Sequence, residues 1–274
     1  MPYTFQPDKM YRMPTHFGPR TGPRQGPDGS TFANVDTPFN TTVSASFLTD
    51  ADALEAMLPE CFTLDGEPVV TIYFKYMTQI EWLAGRGYNI LGVCFPAAFS
   101  GAEDQVRGPF LTVLWENLTD PILTGREELG FAKVYCELPE PNVLRGNWHA
   151  TASWLGFKFL DLRVSDLSQA EPNATAPDPD VGILHYKYIP KTGAWGTPDV
   201  AYPVYTPSTG SNERDLEHWS GQGTVQFHRA AWEDMPTQYN IVNAFADLPI
   251  VEYRGASVSK SVGAKDLRDQ RILR

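Results

Sequence analysis

The sequence predicts a mainly β protein, an antiparallel sheet closed into a barrel or sandwich with a few peripheral helices. Three observations predict it. Short apolar and aromatic segments recur along the 274 residues, separated by Gly, Asp and Pro. Helical spacing of apolar residues appears in few places, and no strand–helix–strand rhythm points to a parallel α/β sheet. Aromatic residues reach 12%, which suits pleated surfaces and deep apolar pockets.

The elements follow in order. Residues 1–38 are rich in Pro and Gly, as in FGPRTGPRQGPDG, so neither helix nor strand propagates there. An extended arm is expected, packed on a neighbouring subunit or trailing free. Thr49, Asp50 and Asp52 supply capping oxygens for a short helix carrying Ala53, Leu54, Met57 and Leu58, which Pro59 stops. Strands are then predicted at VVTIYFKYM (69–77), NILGVCFPAAF (89–99) and FLTVLWEN (110–117). HATASWLGFKFLDLRV (149–164), ILHYKYI (183–189) and GTVQFHRAAW (223–232) continue the pattern. EPNATAPDPD (171–180) and YTPSTGSNERD (205–215) read as loops. Pro236 suits the first turn of a helix through Tyr239, Val242 and Phe245, and KDLRDQRIL (265–273) suits one more. No repeat and no linker divides the chain, so residues 1–274 are expected to form one domain.

Composition removes several function classes. The formal net charge of -11 repels phosphate backbones and anionic bilayer surfaces, so neither nucleic acid nor membrane is an expected partner. No segment approaches the roughly 20 apolar residues of a membrane span, and cytoplasm is the expected location. Cys61, Cys94 and Cys136 form no CxxC pair and read as small buried residues. The five His are scattered without metal-ligand spacing. GxSxG, P-loop and GxGxxG motifs are missing, so no metal and no dissociable cofactor are expected.

The informative stretch is ENLTDPILTGREELGFAKVYCEL (116–138). A turn at Asp120-Pro121 leads into a helical piece at residues 126–129, ended by Gly130 in a left-handed conformation. Residues 131–136 then alternate as a strand. Ala132, Val134 and Cys136 share one face, and Phe131, Lys133 and Tyr135 the other, so the strand presents an amine between two rings. Taken alone, a lysine alternating out of a strand is ordinarily solvated.

GREELGFAK resembles the signature of the acetoacetate decarboxylase superfamily, in which GRE is followed by a short spacer and the catalytic lysine. The spacing from Arg126 to Lys133 matches, with Ala132 in place of the usual Pro. FGPRTGPR, TDADALEAMLPE (49–60), GYNILGVCFPAAFSG (87–101) and ADLPIVEY (246–253) fall in the family's order, and WLAGRGYN (82–89) is similar to a subgroup of decarboxylase-like proteins. The resemblance implies a cone-like β-barrel, a homo-oligomer, and an imine between Lys133 and a small keto acid or hydrophobic carbonyl substrate, the imine itself replacing any cofactor. Such an amine must be neutral. At pH 7 only about one free lysine in a few thousand is, and lowering its pKa by about 4 units takes about 5 kcal/mol.

The chain departs from the family pattern at Val134, where a second lysine is usual. It departs also at Ile90 and Tyr73, which align with acidic positions, and at Asn40, which aligns with a carboxylate-binding arginine. These departures point away from acetoacetate as substrate. Around Lys133 the candidate helpers are Arg86 for a carboxylate, Tyr88 as proton donor, Glu116, Arg126 and Glu127 for local electrostatics, and Tyr253 as a further acid–base group. Each has a plainer reading: surface charge for Arg86, packed ring for Tyr88 and capping pairs for Glu116, Arg126 and Glu127. The expected activity is a decarboxylase-like carbon–carbon lyase. The alternatives are a pyruvate aldolase or dehydratase using the same lysine, and an inactive barrel that binds a small molecule.

Overall fold

A computed structural model describes residues 3–171 and 178–274. One large mixed sheet dominates it, and the first strands in chain order are β1 (Phe39–Leu48), β2 (Phe62–Leu64), β3 (Val69–Ile80), β4 (Arg86–Ser100) and β5 (Gln105–Glu116). The short β6 (Lys133–Tyr135) and β7 (Asn142–Leu144) precede the hairpin β8 (Asn147–Trp154) and β9 (Phe157–Gln169). The rest are β10 (Gly182–Pro190), β11 (Pro198–Pro207), β12 (Arg214–Phe227), β13 (Glu252–Val262) and β14 (Arg271–Ile272). Among the described residues three short α-helices accompany them: α1 (Ala51–Glu55), α2 (Thr119–Thr124) and α3 (Tyr239–Ala246).

The main path of the sheet runs β14-β11-β10-β5-β4-β3-β1-β13-β12-β9-β8-β7, with β2 paired to β4 and β6 to β5. The expected antiparallel order holds for most pairs, but β5 pairs parallel with both β6 and β10. The barrel is not closed: β14 and β7 end the path without pairing to each other. The sheet instead curls through side-chain packing. Trp115 of β5 sits 5.2 Å from Phe159 of β9, although five strands separate them in the sheet. Such an aromatic pair adds about 0.5–1.5 kcal/mol beyond its buried area. Helix α3 plugs the same region. Its Phe245 lies 6.3 Å from Trp115, whose indole donates to the preceding Gln238 at 2.7 Å.

The period of two along each strand sends the core to one face and the candidate site to the other. On β3, Val70, Ile72, Phe74 and Tyr76 are core, while Tyr73, Lys75 and Met77 face a cavity. On β4, Leu91 and Val93 are core, and Tyr88 and Ile90 face the cavity. On β5, Val113 and Trp115 are core, and Leu114 and Glu116 face the cavity.

Local expectations are corrected at several points. The helix at Asp50 forms with the Asp50 side chain accepting from the Ala53 amide at 2.9 Å. Pro236 lies in the turn before α3 rather than in its first turn, because the chain turns at Met235, whose carbonyl accepts from Gln238 and Tyr239. Residues 265–273 form no α-helix but a 3-10 turn (Leu267–Asp269) and strand β14, which gains more by pairing with β11. Residues 149–164 divide into a hairpin at Leu155-Gly156, both with positive φ. Most of the loop at 171–180 lies outside the described residues. The arm packs on its own chain: Arg12 pairs with Glu128 at 2.5 Å, and Arg24 donates to the Lys265 carbonyl at 3.0 Å. All three cysteines are free, with Cys136 fully buried and Cys61 and Cys94 partly so. Among the described residues no helix is long and apolar enough to cross a membrane.

Candidate active site

Lys133 starts β6, whose register sets it beside Leu114 of β5 on the cavity face. Three local features hold it there. Arg126 reaches back and donates to the Lys133 carbonyl at 2.7 Å. Gly125 makes room for the side chain, since an added Cβ would lie 2.5 Å from Lys133 Cδ and Cε. Gly130, at φ 80, turns the chain out of the π-helical turn Gly125–Leu129. The GRE signature therefore has a physical content: the glycine clears the lysine's path and the arginine grips its backbone.

The amine is buried, and its nearest charged neighbour is Glu116, with Nζ 2.7 Å from Oε1. It also donates to the Pro121 carbonyl at 3.1 Å and lies 5.7 Å from the Phe131 ring centre. Glu116 is fully buried, and its Oε2 has no hydrogen-bond partner among the described residues. Burial is the main force on both groups. It lowers the Lys133 pKa, against the pull of Glu116, and the charge of Arg24 lowers it further. It raises the Glu116 pKa, against the pull of Lys133. Desolvating two ions costs several kcal/mol each, so the pair is pushed toward a neutral amine facing a protonated carboxyl.

Both groups open on a cavity of about 250 Å³. Its floor is the sheet face carrying Tyr73, Tyr88, Ile90 and Leu114, and its roof comes from Pro121, Thr124, Phe131, the arm residue Arg24, and Lys265 and Leu267. Burial raises the hydroxyl pKa of Tyr73 and Tyr88, so both stay protonated donors at neutral pH. Gly92 lets Tyr73 lie across β4, because a Cβ there would meet the phenol ring at 2.3 Å. Behind Phe131, the His185 ring stacks at 4.3 Å, and its Nδ1 bonds the Gly130 carbonyl at 3.0 Å.

The structure brings Lys133, Glu116 and Tyr88 together at the cavity and Arg126 behind the lysine. Three other candidates lie elsewhere. Arg86 is exposed at the start of β4, its guanidinium donating to the Leu83 carbonyl at 3.3 Å. Glu127, within the π-helical turn, lines a different pocket beside Lys187, which donates to its carbonyl at 2.7 Å. Tyr253 lines a separate, open groove of about 1040 Å³ with His149 and Arg163. That groove is the larger one, but the buried acid–base pair is in the smaller cavity. Tyr135 is 42% exposed and does not flank the amine, because β6 ends there at the surface. Arg24 and Tyr73 were not among the candidates. Strand alternation in VVTIYFKYM signals Tyr73, whereas nothing local signals Arg24. Among the described residues no group of three or more His, Cys, Asp or Glu is arranged to hold a metal ion.

Comparisons with known proteins agree with this architecture. The profile of the family described as Acetoacetate decarboxylase (ADC) matches residues 12–264. An acetoacetate decarboxylase from Clostridium botulinum (strain Eklund 17B / Type B) is 23% identical over 206 residues, 70% of this chain and 75% of that protein. The crystal structure of acetoacetate decarboxylase from Legionella pneumophila is similar at TM-score 0.63 and 18% identity, covering 87% of this chain and 88% of that one. The enduracididine biosynthesis enzyme MppR, complexed with the condensation product of pyruvate and imidazole 4-carboxaldehyde, is similar at TM-score 0.62 and 16% identity, covering 92% and 95%. An acetoacetate decarboxylase-like enzyme from Sphingomonas wittichii RW1 follows at TM-score 0.59 and 17% identity, covering 93% and 99%.

Proposed function

The chain belongs to the acetoacetate decarboxylase family, and on that premise we propose that it is a carbon–carbon lyase whose Lys133 amine condenses with a small keto acid to form an imine. The observation that supports this most directly is the buried Lys133–Glu116 pair, 2.7 Å apart at the wall of the cavity. A neutral Lys133 Nζ attacks the carbonyl carbon. The resulting carbinolamine loses its hydroxyl as water, with Glu116 supplying the proton, and the protonated imine remains. When the substrate is a β-keto acid, the bond to its carboxyl carbon breaks, CO2 leaves, and the electron pair moves to the imine nitrogen as an enamine. Protonation at carbon and hydrolysis then release the ketone and free the lysine. The imine is the electron sink, so the reaction needs no other cofactor.

A second reading uses the same intermediate: an enamine from pyruvate attacks an aldehyde and the adduct loses water. The presence of two protonated phenols, Tyr73 and Tyr88, on the cavity floor favours it, because the new alkoxide needs a proton donor. Reduction with borohydride in the presence of a keto acid, followed by mass spectrometry, should place a stable adduct on Lys133. An adduct that persists in Lys133→Ala would sink the proposal, and no adduct at all would leave a binding cavity only. CO2 release from acetoacetate separates the two reactions: brisk release defeats the aldol reading.

A further inference from the structure

We infer that Arg24, carried in by the N-terminal arm, binds the carboxylate of the substrate, so that the keto acid is held between this guanidinium and the Lys133 amine. The inference rests on the imine reading above and names the acid-binding end of the same cavity.

Four cationic side chains line the cavity: Arg24, Lys75, Lys133 and Lys265. Three are already committed. Lys75 pairs with Glu213 at 2.7 Å, Lys133 with Glu116 at 2.7 Å and Lys265 with Asp269 at 2.6 Å. Arg24 makes no ion pair among the described residues. Its one hydrogen bond runs from a terminal guanidinium nitrogen to the Lys265 carbonyl at 3.0 Å. That bond aims the fork and leaves its other N–H donors available, and a planar fork of this kind matches a carboxylate bidentately.

The backbone at Arg24 is built to deliver the side chain. Its φ of 60 is left-handed, a conformation that non-glycine residues adopt sparingly and that concentrates at ligand-binding positions. A small hairpin fixes it, with Gln25 bridged to Thr31 and the Gly26 amide bonded to the Ser30 carbonyl at 2.8 Å. Lys133, Glu116 and Tyr88 all feel the Arg24 charge, which sets the guanidinium over the same space they enclose. Met77, Ile80, Trp82 and Ile90 form an apolar and aromatic stretch of the wall, while the polar Asn40 and Glu213 in the lining bond each other, and Glu213 also holds Lys75. A cavity of about 250 Å³ is below the roughly 300–1,000 Å³ of sites for drug-sized ligands. The ligand class is therefore a small monocarboxylic keto acid with a short apolar remainder.

The test separates acid binding from imine chemistry. Butyrate and butyramide are titrated calorimetrically into the full-length wild type, Arg24→Met and Arg24→Lys, with thermal melts confirming that each variant is folded. The wild type should bind butyrate at least tenfold tighter than butyramide, Arg24→Met should lose that preference, and Arg24→Lys should recover part of it. In parallel, borohydride labelling of Lys133 is measured with pyruvate and with the uncharged ketone butanone. Arg24→Met should raise the concentration for half-maximal labelling at least tenfold more for pyruvate than for butanone, because the loss of its charge at Lys133 affects both compounds alike while the loss of a carboxylate contact affects pyruvate alone. Retained butyrate preference in Arg24→Met, or parallel loss of labelling by both carbonyl compounds, overturns the inference and makes Arg24 a structural latch. An Arg24-dependent butyrate preference without labelling by either compound upholds the acid site and overturns the imine reading instead.

Discussion

Lys133 and Glu116 act on each other in opposite senses from their surroundings. Burial drives the amine to lose its proton, while the Glu116 carboxylate, 2.7 Å away, favours keeping it. In the proposed imine mechanism the nucleophile is the neutral amine, so imine formation should rise with pH through a pKa below the ordinary 10.5 of lysine. Glu116→Gln removes the group that raises the Lys133 pKa. The acid limb of the pH–rate profile should therefore move to lower pH, while the plateau falls by about 10²–10⁴ through loss of the proton donor. An acid limb that stays in place, measured by stopped-flow labelling across pH, would show that Glu116 does not control the lysine. Lysine-plus-GRE spacing made this residue legible in the sequence. Its electrostatics were not, because the desolvation comes from strands and loops distant in the chain. Val134 takes the place of the familiar second lysine, and the cationic contribution comes from Arg24 instead.

At the scale of elements, α2, the π-helical turn and β6 form one device that sets the lysine, and His185 of β10 props it from behind. His185 is fully buried, and burial lowers its pKa from 6.5 to about 4. Its folded pKa is depressed, so the unfolded chain takes up a proton that the native state refuses. Stability is present above pH 6.5 and is lost as pH falls toward about 4, by up to about 3 kcal/mol. His185→Phe abolishes this titration but strands the Gly130 carbonyl, at a cost of about 1–3 kcal/mol. In denaturant unfolding at a series of pH values, the wild type should be the more stable protein at pH 7, and the gap should narrow steadily toward pH 4. A constant gap would count against the buried neutral imidazole.

At the scale of the molecule, the sheet stays open, with β7 exposed at one end. Unprotected edges with apolar side chains are association surfaces. Val143 is 50% exposed and Leu144 72% exposed on that edge. We propose that copies of the chain assemble there into a homo-oligomer. Light scattering should report a multimer, and Leu144→Glu should shift it toward the mass of one chain. A wild-type monomer at micromolar concentration would refute the assembly.

The sequence by itself determined the β class, the α1 cap at Asp50 and the Gly130 turn. Each rests on contacts or spacings within a few residues. It also determined which residues of β3, β4 and β5 share a face, because alternation is a property of the strand alone. Only the tertiary structure decided which of those faces is core and which is cavity, since that depends on where α3 and the arm settle. It decided that Arg86, Glu127 and Tyr253 stay away from the cavity, and that Arg24, more than 100 residues before Lys133, lies over it. A charge acts through space at distances that the order of residues does not encode, so an arginine delivered by an irregular arm leaves no local signal for its role.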